Sequence, residues 1–144
     1  MRLIHDLGRS IELTDPLREV PLWRYVYSGR PKPFFHPVCT PAGHVLTNFE
    51  PHDHVWHRGL WFTIKYVNGE NFWEENAPFG TQQVVAPPAI EATGQGSVTL
   101  RHQSRWVRPD GQVVIEEQRT VQHSVLDVDA YALDLEIELT PLAD

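Results

Sequence analysis

With 144 residues, 41% of them hydrophobic and 22% charged, the chain can fill one domain around one core and is too apolar for a disordered polymer. A formal charge of −7 excludes a general electrostatic grip on nucleic acid or anionic lipid. The single cysteine, Cys39, excludes an intrachain disulfide framework, and no apolar run is long enough for a membrane-spanning helix.

Twelve prolines and nine glycines, spread along the chain, favour short extended segments joined by turns. A short strand is expected at Ser10–Leu13, with at most one helical turn over Asp15–Glu19. Leu22–Tyr27 (LWRYVY) and Leu60–Val67 (LWFTIKYV) read as aromatic, β-branched strands. Thr81–Val85 and Ile90–Thr93 are shorter candidates on either side of Pro87-Pro88. Ser97–Val107 and Gln112–Gln122 form an expected hairpin across Arg108-Pro109-Asp110-Gly111, where Gly111 supplies the positive φ. Val98, Leu100, His102, Ser104 and Trp106 share one face of its first strand, and Glu116, Glu117 and Arg119 of its second are expected to pair with charges across the ladder. From Tyr131, Leu133, Leu135, Ile137 and Leu139 alternate with Asp134, Glu136 and Glu138, a period of two with one buried face. No window carries a helical stripe. The reading is an all-β fold, an antiparallel β-sandwich, in a single domain over residues 1–144. The first thirty residues show no basic start followed by an apolar run, so a cytoplasmic location is expected.

Chemistry concentrates in His52–Trp61, HDHVWHRGLW. In an extended segment, His52 and His54 point to the same side. With His57 and Asp53 nearby, this is the donor set of a divalent metal, and His52, His54 and His57 are the ligands if one is bound. The H-x-H spacing opens the cupin metal motif, but Gly59 and Leu60 stand where a cupin has its glutamate, so no metal is favoured. Arg58 offers a five-donor fork for a substrate oxygen; its alternative is an ion pair to Asp53 or Glu50 that holds the loop. Lys32-Pro33-Phe34-Phe35-His36-Pro37 is a second polar group, stiffened by its prolines, and Asn71–Asn76 (NFWEEN) is a third. From these, Lys32, His36, Trp61, Trp73 and Glu75 are candidate substrate-binding residues.

Lys32–Pro37, then Asp53–Phe62, then Gly69–Trp73 resemble, in this order and spacing, the uncharacterised family labelled PmoA or "methane oxygenase PmoA". That family carries K-P-Y-F, D-H-P-H-H-R-G-L-W and G-x-x-F-W. Phe34 stands for its tyrosine, and Val55 and Trp56 for its Pro-His, while His54, His57, Arg58, Gly59 and Trp61 match. The resemblance implies a sandwich of the galactose-mutarotase type, with this chain as the N-terminal part of a larger one. It also implies a carbohydrate-related enzyme acting on a small-molecule sugar by acid–base chemistry. His54 and His57 would then be the proton carriers, Arg58 would orient an oxygen, and Trp61 or Trp73 would stack on the ring. The other readings are a metal-dependent, cupin-like enzyme and a non-catalytic sugar-binding domain.

Overall fold

Strands and turns, with no helix among the described residues, carry the chain in the computed structural model, which describes residues 1–142 other than Pro16 and Gln95. Strands β1 (Arg2–Asp6), β2 (Ser10–Asp15), β3 (Val20–Val26) and β4 (Phe34–Val38) form an antiparallel sheet in that order. After a two-residue hairpin, β5 (Tyr66–Val67) with β6 (Glu70–Asn71), come β7 (Thr81–Val84), β8 (Ala89–Ala92), β9 (Val98–Val107), β10 (Val113–Asp127) and β11 (Ala130–Pro141). The second sheet runs β11-β10-β9-β7, with β8 pairing farther along the same edge of β9.

The two sheets pack face to face. Ile11, Leu13, Trp23, Tyr25 and Phe35 of the first meet Val98, Leu100 and Val121 of the second in one buried cluster. Alternation is the cause: on β9 every even residue from Val98 to Trp106 is buried, as the sequence pattern predicts. The β9–β10 hairpin closes where expected, with Gly111 at φ +89 donating its N–H to the Arg108 carbonyl. Asp15 ends β2 and Leu17–Glu19 form a turn; Pro16, within the expected helical turn, lies outside the described residues, as do Ala143 and Asp144.

The structure differs from the sequence reading in three places. Residues 61–65 form no strand; Leu60 makes one bridge to Phe35, and only Tyr66–Val67 of the expected Leu60–Val67 strand pairs further. These apolar residues are used at the open end of the sandwich instead, where Phe62 and Val67 cover Phe72, Trp106, Val114 and Ile115. Second, Phe34–Val38 is a strand although it contains Pro37; as the last strand of its sheet, β4 has an edge where a missing N–H is tolerated. Third, Glu117 and Arg119, expected to pair with charges across the ladder, stand opposite Ser104 and His102 on the inner face, both essentially inaccessible, and pair with each other. Glu116 does meet Arg105 across the ladder at 3.7 Å. Glu117 and Arg119 share the parity of Ile115 and Val121, so the strand's own period turns them inward.

Candidate functional site

The long connection from Cys39 to Gly80 lies against β4, and Arg58 ties two parts of it, Glu50 and Glu75, together. Gly59 sits at φ +83 so that the backbone can approach Phe35, with Phe35 N–H donating to Leu60 O at 2.8 Å and Leu60 N–H to Phe35 O at 3.0 Å. That approach turns Arg58 inward. Its guanidinium holds Glu75 through both Nη atoms, the Nη2 contact at 2.6 Å, while Nε donates to Glu50 at 3.0 Å. Lys32, buried beside it, lies 3.3 Å from the same Glu75 carboxylate and donates to the Trp73 carbonyl at 2.6 Å.

Burial pushes the Lys32 ammonium below its ordinary value against the pull of Glu75. Burial alone would raise Glu75, but the Arg58 bond and the Lys32 charge outweigh it and hold the carboxyl below the usual range. The Glu75 bond raises Arg58. Glu75 and Arg58 are therefore both ionised at neutral pH, and Glu75 is unsuited to proton donation there. Arg58 takes the loop-holding role anticipated as its alternative, on Glu50 rather than Asp53, and its fork is already filled.

The other candidates separate into two places. Trp61 rests on Lys32, whose Nζ lies 4.7 Å from the ring centroid, and contacts Trp73 at 4.8 Å. Trp73 is 39% exposed and His57 meets Trp61 edge-on at 6.3 Å, so this is an aromatic surface. His54 faces outward and pairs with Asp53 at 3.1 Å, a contact that lowers the Asp53 carboxyl. Its ring packs on Trp56 rather than on His57. His52 is exposed, and the extended geometry that would align it with His54 is replaced by turns. Among the described residues, no three His, Cys, Asp or Glu side chains converge on a point a metal ion could occupy.

His36 belongs elsewhere. The outer face of the first sheet is the floor of a cleft of about 940 Å³. Register places Ile4 opposite Glu12 and Glu12 opposite Arg24, while Asp6, Ser10, Val26 and Phe34 form the neighbouring row. Arg24 Nε donates to Glu12 at 2.8 Å, and Arg30 reaches Glu50 at 3.3 Å, which ties this cleft to the Arg58 network. His36 also lines the cleft, stacks on Phe49 at 4.7 Å and shares a 2.9 Å hydrogen bond between Nδ1 and Thr47 Oγ1. Burial, and then the Arg24 charge, push its imidazole below its ordinary value, so it is neutral at pH 7.

Sequence reasoning thus found His36 but not the cleft it lines, and it missed Asp6, Glu12, Arg24 and Arg30. A signal existed: Glu12 and Arg24 sit in the outward phase of strands whose inward residues are Ile11, Leu13, Trp23 and Tyr25. What the sequence does not carry is the register that sets the two phases side by side.

No curated protein and no solved structure matches the chain. One family model does, over residues 16–144, and its description assigns no function and no link to methane oxidation. By that match the chain belongs to DUF6807, a family of unknown function.

Proposed function

We propose that this chain acts on carbohydrate by acid–base chemistry, with the cleft on the outer face of the first sheet as the sugar site. The observation that carries the proposal is the composition of the cleft floor: Glu12, Arg24 and neutral His36 beside Phe34 and Phe49. Each sugar hydroxyl both donates and accepts, so carboxylates and guanidinium groups in adjacent rows suit it. The apolar faces of the ring suit the aromatics. The resemblance of three sequence blocks to the PmoA-labelled family points the same way.

In this reading His36 takes a proton from the substrate, replacing the expected roles of His54 and His57, and Arg58 is a positioning residue that fixes the cleft wall through Glu50. Saturation-transfer NMR against a panel of mono- and disaccharides tests it, with turnover followed on whichever sugar binds. His36→Ala should lower turnover about a hundredfold or more, while His54→Ala and His57→Ala stay near wild type. The opposite ranking, or no sugar bound by the wild-type chain, refutes the cleft assignment.

A second reading is favoured by the exposed Trp73 ring against Trp61: a sugar-binding surface without catalysis. Binding that Trp73→Ala abolishes and His36→Ala leaves intact would select it.

A further inference from the structure

The cleft on the first sheet is lined by more cations than anions, Arg9, Arg24 and Arg30 against Asp6 and Glu12, in a chain whose net charge is −7. The excess can be traced to one residue. Arg24 and Glu12 stand opposite each other on β3 and β2, and Arg24 Nε and Nη2 both close on Glu12 Oε2. Arg9 has Asp6 at 3.9 Å. Each lining carboxylate therefore has its own arginine.

Arg30 is the cation left over. It is half-exposed just after β3, and its ion pair is with Glu50 Oε1 at 3.3 Å. That oxygen already accepts from Arg58 Nε at 3.0 Å, so one carboxylate charge is offered to two guanidinium groups. Arg30 brings a five-donor fork to the cleft and commits little of it. The Arg9 carbonyl accepts from Tyr27 N–H at 3.0 Å, which sets the β1–β2 turn beside the end of β3 and puts Arg9 at the same end of the cleft. His36 and Arg24 lie toward the other end, with the Val26–Phe34 pair between. From Arg24 to Ser28 an extended chain covers up to about 13 Å, room for more than one sugar unit.

We propose that the carbohydrate taken by this cleft is acidic, and that Arg30, with Arg9 at the same end, binds the carboxylate of a uronate unit. The inference rests on the sugar reading of the cleft and names its substrate class. A guanidinium fork matches a carboxylate in planarity and in its single charge. The carboxylate is held away from His36, so the acidic unit neighbours the reacting one.

Glucuronate and glucose, which differ only at C6, serve as probes in chemical-shift titrations. Glucuronate should bind the wild type about tenfold or more tightly than glucose, the worth of one charge-assisted contact. Salt at about 0.5 M should shrink that ratio. Arg30→Gln should reduce it to about threefold or less. Arg101→Gln removes the same charge from the outer face of the other sheet and should leave the ratio as in wild type. Equal affinity for the two sugars in the wild type overturns the inference and leaves the sugar reading standing, whereas binding of neither refutes both. Acetate binding as tightly as glucuronate also overturns it, because the ring would then contribute nothing. So does glucose 6-phosphate binding more tightly, which assigns the arginines to a phosphate, or an Arg101→Gln loss equal to that of Arg30→Gln.

Discussion

At Gly59, one missing carbon decides how the connection after β4 is held. A Cβ there would sit 2.3 Å from the Phe35 carbonyl oxygen and 3.2 Å from His36 and Thr47, at a φ that also disfavours any L side chain. Gly69 has nearly the same φ, +81, but open space around it. The two positions separate conformational strain from collision. Gly69→Ala should cost about 1 kcal/mol, and Gly59→Ala about 2–4 kcal/mol, since the backbone pair between Phe35 and Leu60 must open. Urea unfolding of both variants measures this, and equal losses would show that the close approach contributes nothing. The sequence shows Gly59 as a bend beside Arg58; it does not show that the neighbour is Phe35, because that contact joins residues distant along the chain.

Among the strands, β10 departs furthest from an ordinary sandwich strand. Glu117 Oε1 accepts from Arg119 Nε at 2.6 Å, Glu117 Oε2 accepts from the Trp106 indole at 2.7 Å, and the Arg119 guanidinium also reaches the Tyr25 hydroxyl at 3.4 Å. Two charges out of water are tolerated only while each has its partner. Arg119→Met should therefore cost about 3–5 kcal/mol, because it strands a buried carboxylate. Glu117→Gln combined with Arg119→Met should recover much of that loss, since the amide oxygen still accepts from Trp106. A double variant no more stable than Arg119→Met, by denaturant midpoint, would show that lost packing rather than lost pairing sets the penalty. Arg58→Lys tests the same principle in the loop. A lysine cannot span Glu75 and Glu50 together, so a loss of about 1–3 kcal/mol is expected, with faster proteolysis confined to the 39–65 connection. Alternation makes β9, β10 and β11 readable from the sequence, because burial on one face leaves a period of two. The same alternation is indifferent to what the buried residue is, so it does not show that Glu117 and Arg119 pair with each other between the sheets rather than with charges across the ladder. The segment 61–65 misleads in the opposite sense: Phe62 covers Phe72 and Trp106 and Trp61 packs on Trp73, neither of which requires a ladder, and Ile64 stays exposed.

Across the whole molecule, the two sheets are joined by polar pairs as well as by apolar packing. Trp23 of the first sheet donates to His123 of the second, and the Tyr25 hydroxyl lies 2.6 Å from His102 Nε2. Burial pushes both imidazoles down, His102 to about 3 with help from the Arg119 charge and His123 to about 4. An imidazole depressed in the folded state stays neutral while the unfolded chain takes up its proton near the ordinary value of about 6.5. The unfolded state then binds more protons, so stability must fall as pH drops below that value, and keep falling until the folded values are reached. Between pH 6.5 and 5 each histidine should remove roughly 2 kcal/mol. Most carboxylates titrate below that window, so the slope there belongs mainly to histidine. At the alkaline end the sign reverses. Burial raises the Tyr25 and Tyr131 hydroxyls to about 12, so the unfolded chain ionises first and stability declines from about pH 10 upward. Urea midpoints across the acid window, for wild type and His102→Gln, provide the measurement. A wild-type profile flat between pH 7 and 5 would mean that the space between the sheets hydrates freely, and that these histidines do not couple the layers.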